Sequence, residues 1–274
     1  MAARVYVVLN RKGGVGKTST CFHLAGCYAK QGQRVLLVDM DPQANLTEGF
    51  IGGLRGGTPV PRERSVTALF ADDLHVAEPQ SLILPTPFPG VMILPGSQSL
   101  EYECERDPAD DARQNVLRDF VQEVRDAYHL ILVDCPPNTL LGSWSALVAG
   151  DGVIVPIQVE DFGAQGLKQL AGTLNRVRKV ANPGLALLGY LITMYQKRLA
   201  LHQTYAETLR AAYKDSVFRV EIPFLSDYKL AVMAQTPISG HKPRSQAAKA
   251  IAALADEILE RDAAAHAVSA REVA

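Results

Sequence analysis

The 274-residue chain reads as an α/β protein: a mostly parallel, twisted sheet with helices on both faces, in one domain. Three observations point there. Strand-length apolar runs alternate with helix-length segments along the chain. Several runs are near-continuous in Val, Ile and Leu rather than alternating with polar residues, as parallel strands buried on both faces require. Glycines and acids cluster just after the runs, where a parallel sheet gathers its ligand loops.

Val5–Leu9 is the first strand, and a helix follows from about Thr18 to Lys30. Val35–Val38 is the second strand. Ile51–Arg64, rich in Gly and Pro, reads as a mobile surface loop, and Pro79–Pro89 as a second irregular stretch. Neither is a domain linker, because the strand pattern resumes unchanged beyond each. Val91–Leu94 is a strand, Arg113–Tyr128 a helix, and Leu130–Val133 a strand. Val153–Ile157 precedes a helix over Gly166–Val180, and Leu185–Ile192 precedes one over Leu199–Tyr213. Val217–Ile222 reads as a last strand before a closing helix, Ser245–Arg261. The domain is expected to span 1–262. Residues 263–274, Ala-rich and charged, are expected to form a flexible tail.

The apolar fraction of 47% suits one large α/β domain. No apolar run is long enough to predict a membrane-spanning helix. The first strand begins at once, without a charged-then-apolar leader, so a cytoplasmic location is expected. Cys21, Cys27, Cys104 and Cys135 lack C-x-x-C spacing and read as buried free thiols. The formal net charge of −1 hides an asymmetry. Residues 168–249 carry thirteen Lys/Arg against four acids, whereas residues 101–126 carry nine acids against four arginines. A basic stretch of this kind marks an anionic partner, although dispersed cations also simply solvate helices.

Residues 11–18 read Arg-Lys-Gly-Gly-Val-Gly-Lys-Thr directly after the first strand. A strand running into a glycine-rich turn that ends in Lys-Thr cradles nucleotide phosphates, which makes the sheet P-loop NTPase-type. Gly13, Gly14, Val15 and Gly16 present backbone N–H groups, Lys17 reaches the β- and γ-phosphates, and the Thr18 hydroxyl can ligate Mg²⁺. Ser19 follows in the first turn of a helix whose positive end faces the anion. Lys12 stands at the loop's start, where an ordinary P-loop requires no lysine. Asp39-Met40-Asp41-Pro42-Gln43 ends the second strand, and Asp134-Cys135-Pro136-Pro137 ends a later one. An acid there suits a Mg²⁺ shell, usually through water. Val155-Pro156-Ile157-Gln158-Val159-Glu160 closes a further strand.

Together these segments resemble the ParA/Soj family of partition ATPases, in the deviant-Walker-A class that includes MinD, over about Arg4 to Ile258. The resemblance implies ATP and Mg²⁺ as cofactors and an ATP-bound homodimer with two nucleotides sandwiched between subunits. Lys12 would cross to the partner's nucleotide, and Asp41 would orient or activate the attacking water. Asp39 would support the Mg²⁺ region, with a turn cap as its alternative role, and Asp134 would lie behind the first ligands. Met194 and Pro223 would flank the adenine. The iron–sulfur chemistry of the related nitrogenase iron protein is not expected, since Cys135 directly follows Asp134 and Cys104 lacks a Gly-rich ligand loop.

The resemblance also implies nonspecific binding of double-stranded DNA, nucleoid association, and hydrolysis stimulated by a ParB-like adaptor. Arg198 and Lys197 are the leading DNA contacts, with Lys229, Lys242 and Arg244 behind them. Where chromosomal members carry an Arg-Asn-x-Arg run, this chain has Phe224-Leu225-Ser226-Asp227. The first strand leaves no room for the N-terminal helix-turn-helix of larger plasmid relatives, so operator binding is not expected. Residues 252–264 lack the bulky apolar face and basic rim of a MinD-type membrane helix, so a membrane-bound regulator is the weaker alternative. Positioning of a protein cargo, such as a chemoreceptor array or microcompartment, is the closer one.

Overall fold

Val5 and Val7 of the first strand pack into one core, while Tyr6 and Val8 pack into another on the opposite side of the sheet. The same split recurs where Leu36 and Val38 oppose Val35 and Leu37, and where Ile131 and Val133 oppose Leu130 and Leu132. This is why the strands read as continuous apolar runs: the backbone alternates, but both faces are dry.

The computed structural model describes residues 2–53, 56–74, 76–108, 112–159 and 164–272. Among them the strands are β1 (Arg4–Val8), β2 (Val35–Asp39), β3 (Leu84–Pro85), β4 (Val91–Leu94), β5 (Leu130–Asp134), β6 (Gly152–Gln158) and β7 (Ala186–Thr193). They form one sheet in the order β3-β4-β2-β5-β1-β6-β7, parallel throughout except for β3 on β4. The expected α/β fold class is the observed one.

The helices are α1 (Lys17–Lys30), α2 (Asn45–Thr47), α3 (Thr67–Phe70), α4 (Leu100–Cys104), α5 (Val116–Val124) and α6 (Leu141–Ala149). They continue as α7 (Ala164–Val180), α8 (Ala200–Tyr213), α9 (Ser226–Met233), α10 (Ile238–His241) and α11 (Gln246–Glu272). α5, α6, α7 and α8 cover one face of the sheet, and α1, α9, α10 and α11 the other. All four cysteines are buried as thiols.

Val217–Ile222 is not a strand. One isolated bridge, Tyr190 with Val217, joins it to β7, and a second, Tyr195 with Pro223, lies just past both segments. The amides of Phe218 and Ile222 do reach the Tyr190 and Ile192 carbonyls. Between them, however, the Arg219 and Val220 amides donate to the two carboxylate oxygens of Glu257, at 2.8 and 2.9 Å. Arg261, ion-paired to Glu257 at 2.8 Å, also donates to the Leu188 and Val217 carbonyls. A Glu–Arg pair on α11, its glutamate buried and its arginine half-buried, thus takes the bonds a strand ladder would have used.

Two smaller differences concern boundaries. The stretch Pro79–Pro89 contributes β3 as well as turns. α11 runs on to Glu272, so residues 263–272 of the stretch expected as a flexible tail continue the helix, in keeping with the high helix propensity of their alanines. Residues 54–55 of the Gly/Pro-rich loop, Glu160, and 273–274 lie outside the described residues.

Candidate active site at the carboxyl edge of the sheet

The carboxyl ends of β1, β2, β5, β6 and β7 converge on one edge, and the glycine-rich loop crosses it. Asn10 ties the loop's start to β6: its Nδ2 donates to the Pro156 carbonyl at 2.6 Å, and its Oδ1 accepts the Lys12 amide at 3.1 Å. Thr193 ties the middle to β7 by donating its hydroxyl to the Val15 carbonyl at 2.8 Å. Gly14 and Gly16 adopt φ of 77° and 89°, a left-handed conformation that a Cβ would penalise. Gly16 caps α1 without any side-chain acceptor, so the amides of the first turn keep no side-chain cap. An uncapped helix end under a curled loop is an anion site.

Lys17 opens α1 and is only 6% exposed. Its Nζ donates to the Lys12 carbonyl at 2.9 Å, so the lysine folds back on its own loop. Burial pulls its pKa down, while the charges of Asp134 and Asp41 pull it up. Thr18 and Ser19 follow in the first turn, and Lys12 projects as an exposed residue from the loop's outer side.

Asp39 and Asp134 are register partners on β2 and β5, and both are fully buried. Their surroundings differ. Asp39 accepts the Asp41 amide at 3.2 Å, the Thr47 amide at 2.8 Å and the Thr47 hydroxyl at 2.7 Å. Thr47 Oγ1 in turn accepts the Gly96 amide at 2.8 Å. A Cβ on Gly96 would come within 2.9 Å of the Asp39 carboxyl carbon, so only glycine closes this approach. Burial lifts the Asp39 pKa to about 6; the Thr47 bonds oppose the rise and the charge of Asp41 adds to it. Asp39 is therefore the cap of the turn that carries Asp41.

Asp134 has no such donors: neither carboxylate oxygen makes a hydrogen bond of normal geometry. Burial, then the charge of Asp39, raises its pKa well above the usual range; the nearby Thr18 hydroxyl and Lys17 favour its charged form. A buried, unpartnered carboxylate beside a hydroxyl suits a hydrated divalent cation of hard-oxygen preference. Among the described residues no three His, Cys, Asp or Glu converge as a direct metal cage. Asp41, 8% exposed, stands at the turn with its Oδ1 accepting the Gln43 amide at 3.0 Å.

Beyond the phosphate end, a cavity of about 450 Å³ continues along α1. Met194 and Pro223, which the resemblance would place beside an adenine, line it with Gly16 and Ser19. The sequence reading missed much of the rest of its wall, including His23, Thr193, Phe224, Leu225, Tyr228 and Val232. These come from four separate stretches, and no local motif joins them. Met194 holds a left-handed φ of 54°, a turn that aims the chain from β7 into the cavity wall.

The basic candidates fall in different settings. Lys197 and Arg198 are exposed in the turn between β7 and α8, and Arg244 is exposed just before α11. Lys242 is ion-paired with Asp227 at 2.6 Å. Lys229 lines the cavity, its Nζ 5.9 Å from the Phe224 ring centroid. Among the described residues no helix is long and apolar enough to cross a membrane.

An AAA-domain family model matches residues 3–187. Across 94% of the chain, 37% of residues are identical to the chromosome-partitioning ATPase Soj of Thermus thermophilus, 96% of which is covered. Identity is 33% with the chromosome partitioning protein ParA of Caulobacter vibrioides, over 94% of this chain and 95% of that one. A crystal structure of cobyrinic acid a,c-diamide synthase from Mycobacterium smegmatis, with bound ADP and magnesium, superposes with a TM-score of 0.76. It covers 94% of both chains at 28% identity.

Proposed function

The chain belongs to the ParA/Soj family of partition ATPases, and from that membership we propose a nucleotide-switched dimer that carries chromosomes or plasmids over DNA. It is an ATPase that works on ATP with Mg²⁺. The synthase name attached to one structural neighbour weighs less, because the partition relatives are closer in sequence over the same span. One observation carries the reading: a buried lysine, an uncapped helix end and an unpartnered buried carboxylate meet at one sheet edge.

The residues divide the work. Lys17 exchanges the Lys12 carbonyl for β- and γ-phosphate oxygens, a stronger, charge-assisted partner. The amides of Gly13 to Ser19 hold the remaining phosphate oxygens. Thr18, and Asp134 through water, would hold Mg²⁺, which neutralises charge on the phosphates. Asp41 aligns the attacking water, and Asp39, bonded to the Asp41 amide, fixes its position. Lys12, exposed on the loop, reaches the nucleotide of a second subunit, so ATP bridges the dimer. Met194 and Pro223 enclose the base.

Dimerisation assembles a DNA-binding surface on which Arg198 and Lys197 contact phosphate without reading sequence. Arg244 supplements them; Lys229 and Lys242 do so after leaving the Phe224 ring and Asp227. A ParB-like adaptor stimulates hydrolysis and marks the cargo. The protein acts in the cytoplasm, on the nucleoid, with residues 1–262 as the ATPase domain.

Sedimentation velocity tests the switch. With Mg²⁺, the Asp41→Ala variant should sediment as a dimer in ATP and as a monomer in ADP. Adding Lys12→Ala should return the ATP form to monomer. A chain that stays monomeric in ATP, or dimerises equally in ADP, would refute the sandwich.

A further inference from the structure

Three hydrogen bonds fix how the glycine-rich loop turns its peptides. The Thr193 hydroxyl, buried at the end of β7, donates to the Val15 carbonyl at 2.8 Å, with the Ile157 carbonyl farther off at 3.2 Å. In the first turn of α1, Thr20 donates its amide at 2.9 Å and its hydroxyl at 2.7 Å to the Gly16 carbonyl. Two successive carbonyls are therefore held from outside the loop. A peptide is planar and trans, so its N–H points opposite to its carbonyl. The Gly16 amide consequently faces away from β7, and the Lys17 amide away from the body of α1. Successive N–H groups set about a left-handed residue, here Gly16 at φ 89°, form a concave anion nest.

The two grips differ in origin. The Gly16 carbonyl is held by the first rung of α1 and comes with the helix. The Val15 carbonyl is not: among the described residues no main-chain amide reaches it. Glycine accepts either sign of φ, so without the Thr193 bond the Val15–Gly16 peptide could turn over and aim a carbonyl at the anion. The loop's tie to β6 spends a donor instead, since Asn10 takes up the Lys12 amide.

We propose that Thr193 is a positioning residue for phosphate binding: its hydroxyl locks the Val15–Gly16 peptide so that the Gly16 N–H meets a phosphate oxygen. This rests on the glycine-rich loop being the phosphate cradle. Thr193 acts through Val15 rather than on the nucleotide. Its methyl supplies shape alone, 3.9 Å from where a Cβ on Gly16 would stand. Valine at this position keeps that shape and a β-branch suited to a strand end, and removes the donor.

Isothermal titration of the full chain with ATP and with inorganic tripolyphosphate, both with Mg²⁺, tests the assignment, together with the Gly16 amide signal in nitrogen–proton correlation spectra. Thr193→Val should weaken both ligands by the same factor, about tenfold, the loss of one hydrogen bond to a charged group. Thr193→Ser, which keeps the donor, should bind both as the wild type does. Tripolyphosphate should move the Gly16 amide proton downfield in the wild type and not in Thr193→Val. If Thr193→Val binds both ligands like the wild type, or Thr193→Ser is as weak as Thr193→Val, the hydroxyl lock is refuted. A loss confined to ATP would refute it too, by placing the effect at the base. If tripolyphosphate moves other amides of residues 13–19 in the wild type but not that of Gly16, the Thr193 assignment fails and the cradle survives. If it moves none of them, the cradle fails with it. The wild-type spectra decide the question even if a Thr193 variant does not fold.

Discussion

The cleft has two ends, and they are built differently. At the phosphate end, residues 10–19 and 39–41 supply nearly all of the chemistry, and Asp134 sits in register beside Asp39. Charges there are buried and mutually perturbed: Lys17 is held down by burial, Asp39 and Asp134 are pushed up. At the base end, the wall comes from α1, from the end of β7 and the turn after it, from the segment before α9, from α9 itself and from α11. It is mostly apolar, and among the described residues no ion pair of the kind at the phosphate end shapes it. Tight electrostatics demand fixed residue types at fixed spacing. An apolar wall needs only volume, which many sequences supply.

Substitutions should therefore have large effects at one end and graded effects at the other. Lys17→Ala should weaken ATP binding by a hundredfold or more, since about 3 kcal/mol of charge-assisted bonding is lost; fluorescent-nucleotide titration measures it. Retained tight binding would remove the loop from phosphate recognition. Asp41→Ala should leave ATP affinity within about threefold, yet lower steady-state hydrolysis by roughly a hundredfold, the low end for a positioned base. A variant that turns over normally would take Asp41 out of the reaction.

Asp134→Asn probes charge rather than contact. The folded-state pKa values of Asp39 and Asp134 are raised, so the folded chain holds more carboxyl protons than the unfolded chain above about pH 4. The stability lent by these two groups is present at low pH and falls as pH rises through about 6, where Asp39 ionises. In ligand-free thermal melts, the Tm of Asp134→Asn relative to wild type should rise between about pH 5 and about pH 8. Added Mg²⁺ and ADP should stabilise the wild type and not the variant. A pH-independent difference would mean that Asp134 is already charged and partnered.

The smallest effect belongs to the base end. Phe224→Ala, at a ring 52% exposed, should weaken ATP by about threefold, since little area leaves water there. A loss as large as that of Lys17→Ala would erase the contrast between the two ends.

The same contrast explains what could be read from the chain. β1, β2, β5, α1 and the lysine and aspartates at their ends were legible, because parallel strands buried on both faces leave continuous apolar runs and phosphate chemistry leaves a contiguous motif. Val217–Ile222 misled because its amides bond to Glu257, nearly forty residues on, and no local pattern records that. The anchoring of Asp39 by Thr47 and Gly96 was hidden for the same reason. Asp-x-Asp locates the carboxylates, but only the fold reveals that one is saturated and its register partner is not. His23 lay one helical turn beyond the motif, on a face whose cavity wall is completed by residues two hundred positions away.

Binding of nonspecific duplex DNA with ATP, ADP or no nucleotide, repeated over a salt series, tests the central claim most directly. The account predicts binding in ATP alone, with affinity falling steeply as salt rises, by about 0.9 log units per log unit of salt for each phosphate contacted. Arg198→Glu should flatten that slope while leaving ATP-driven dimerisation intact. Equal binding in all three nucleotide states, or none in ATP, would contradict a nucleotide-switched DNA dimer.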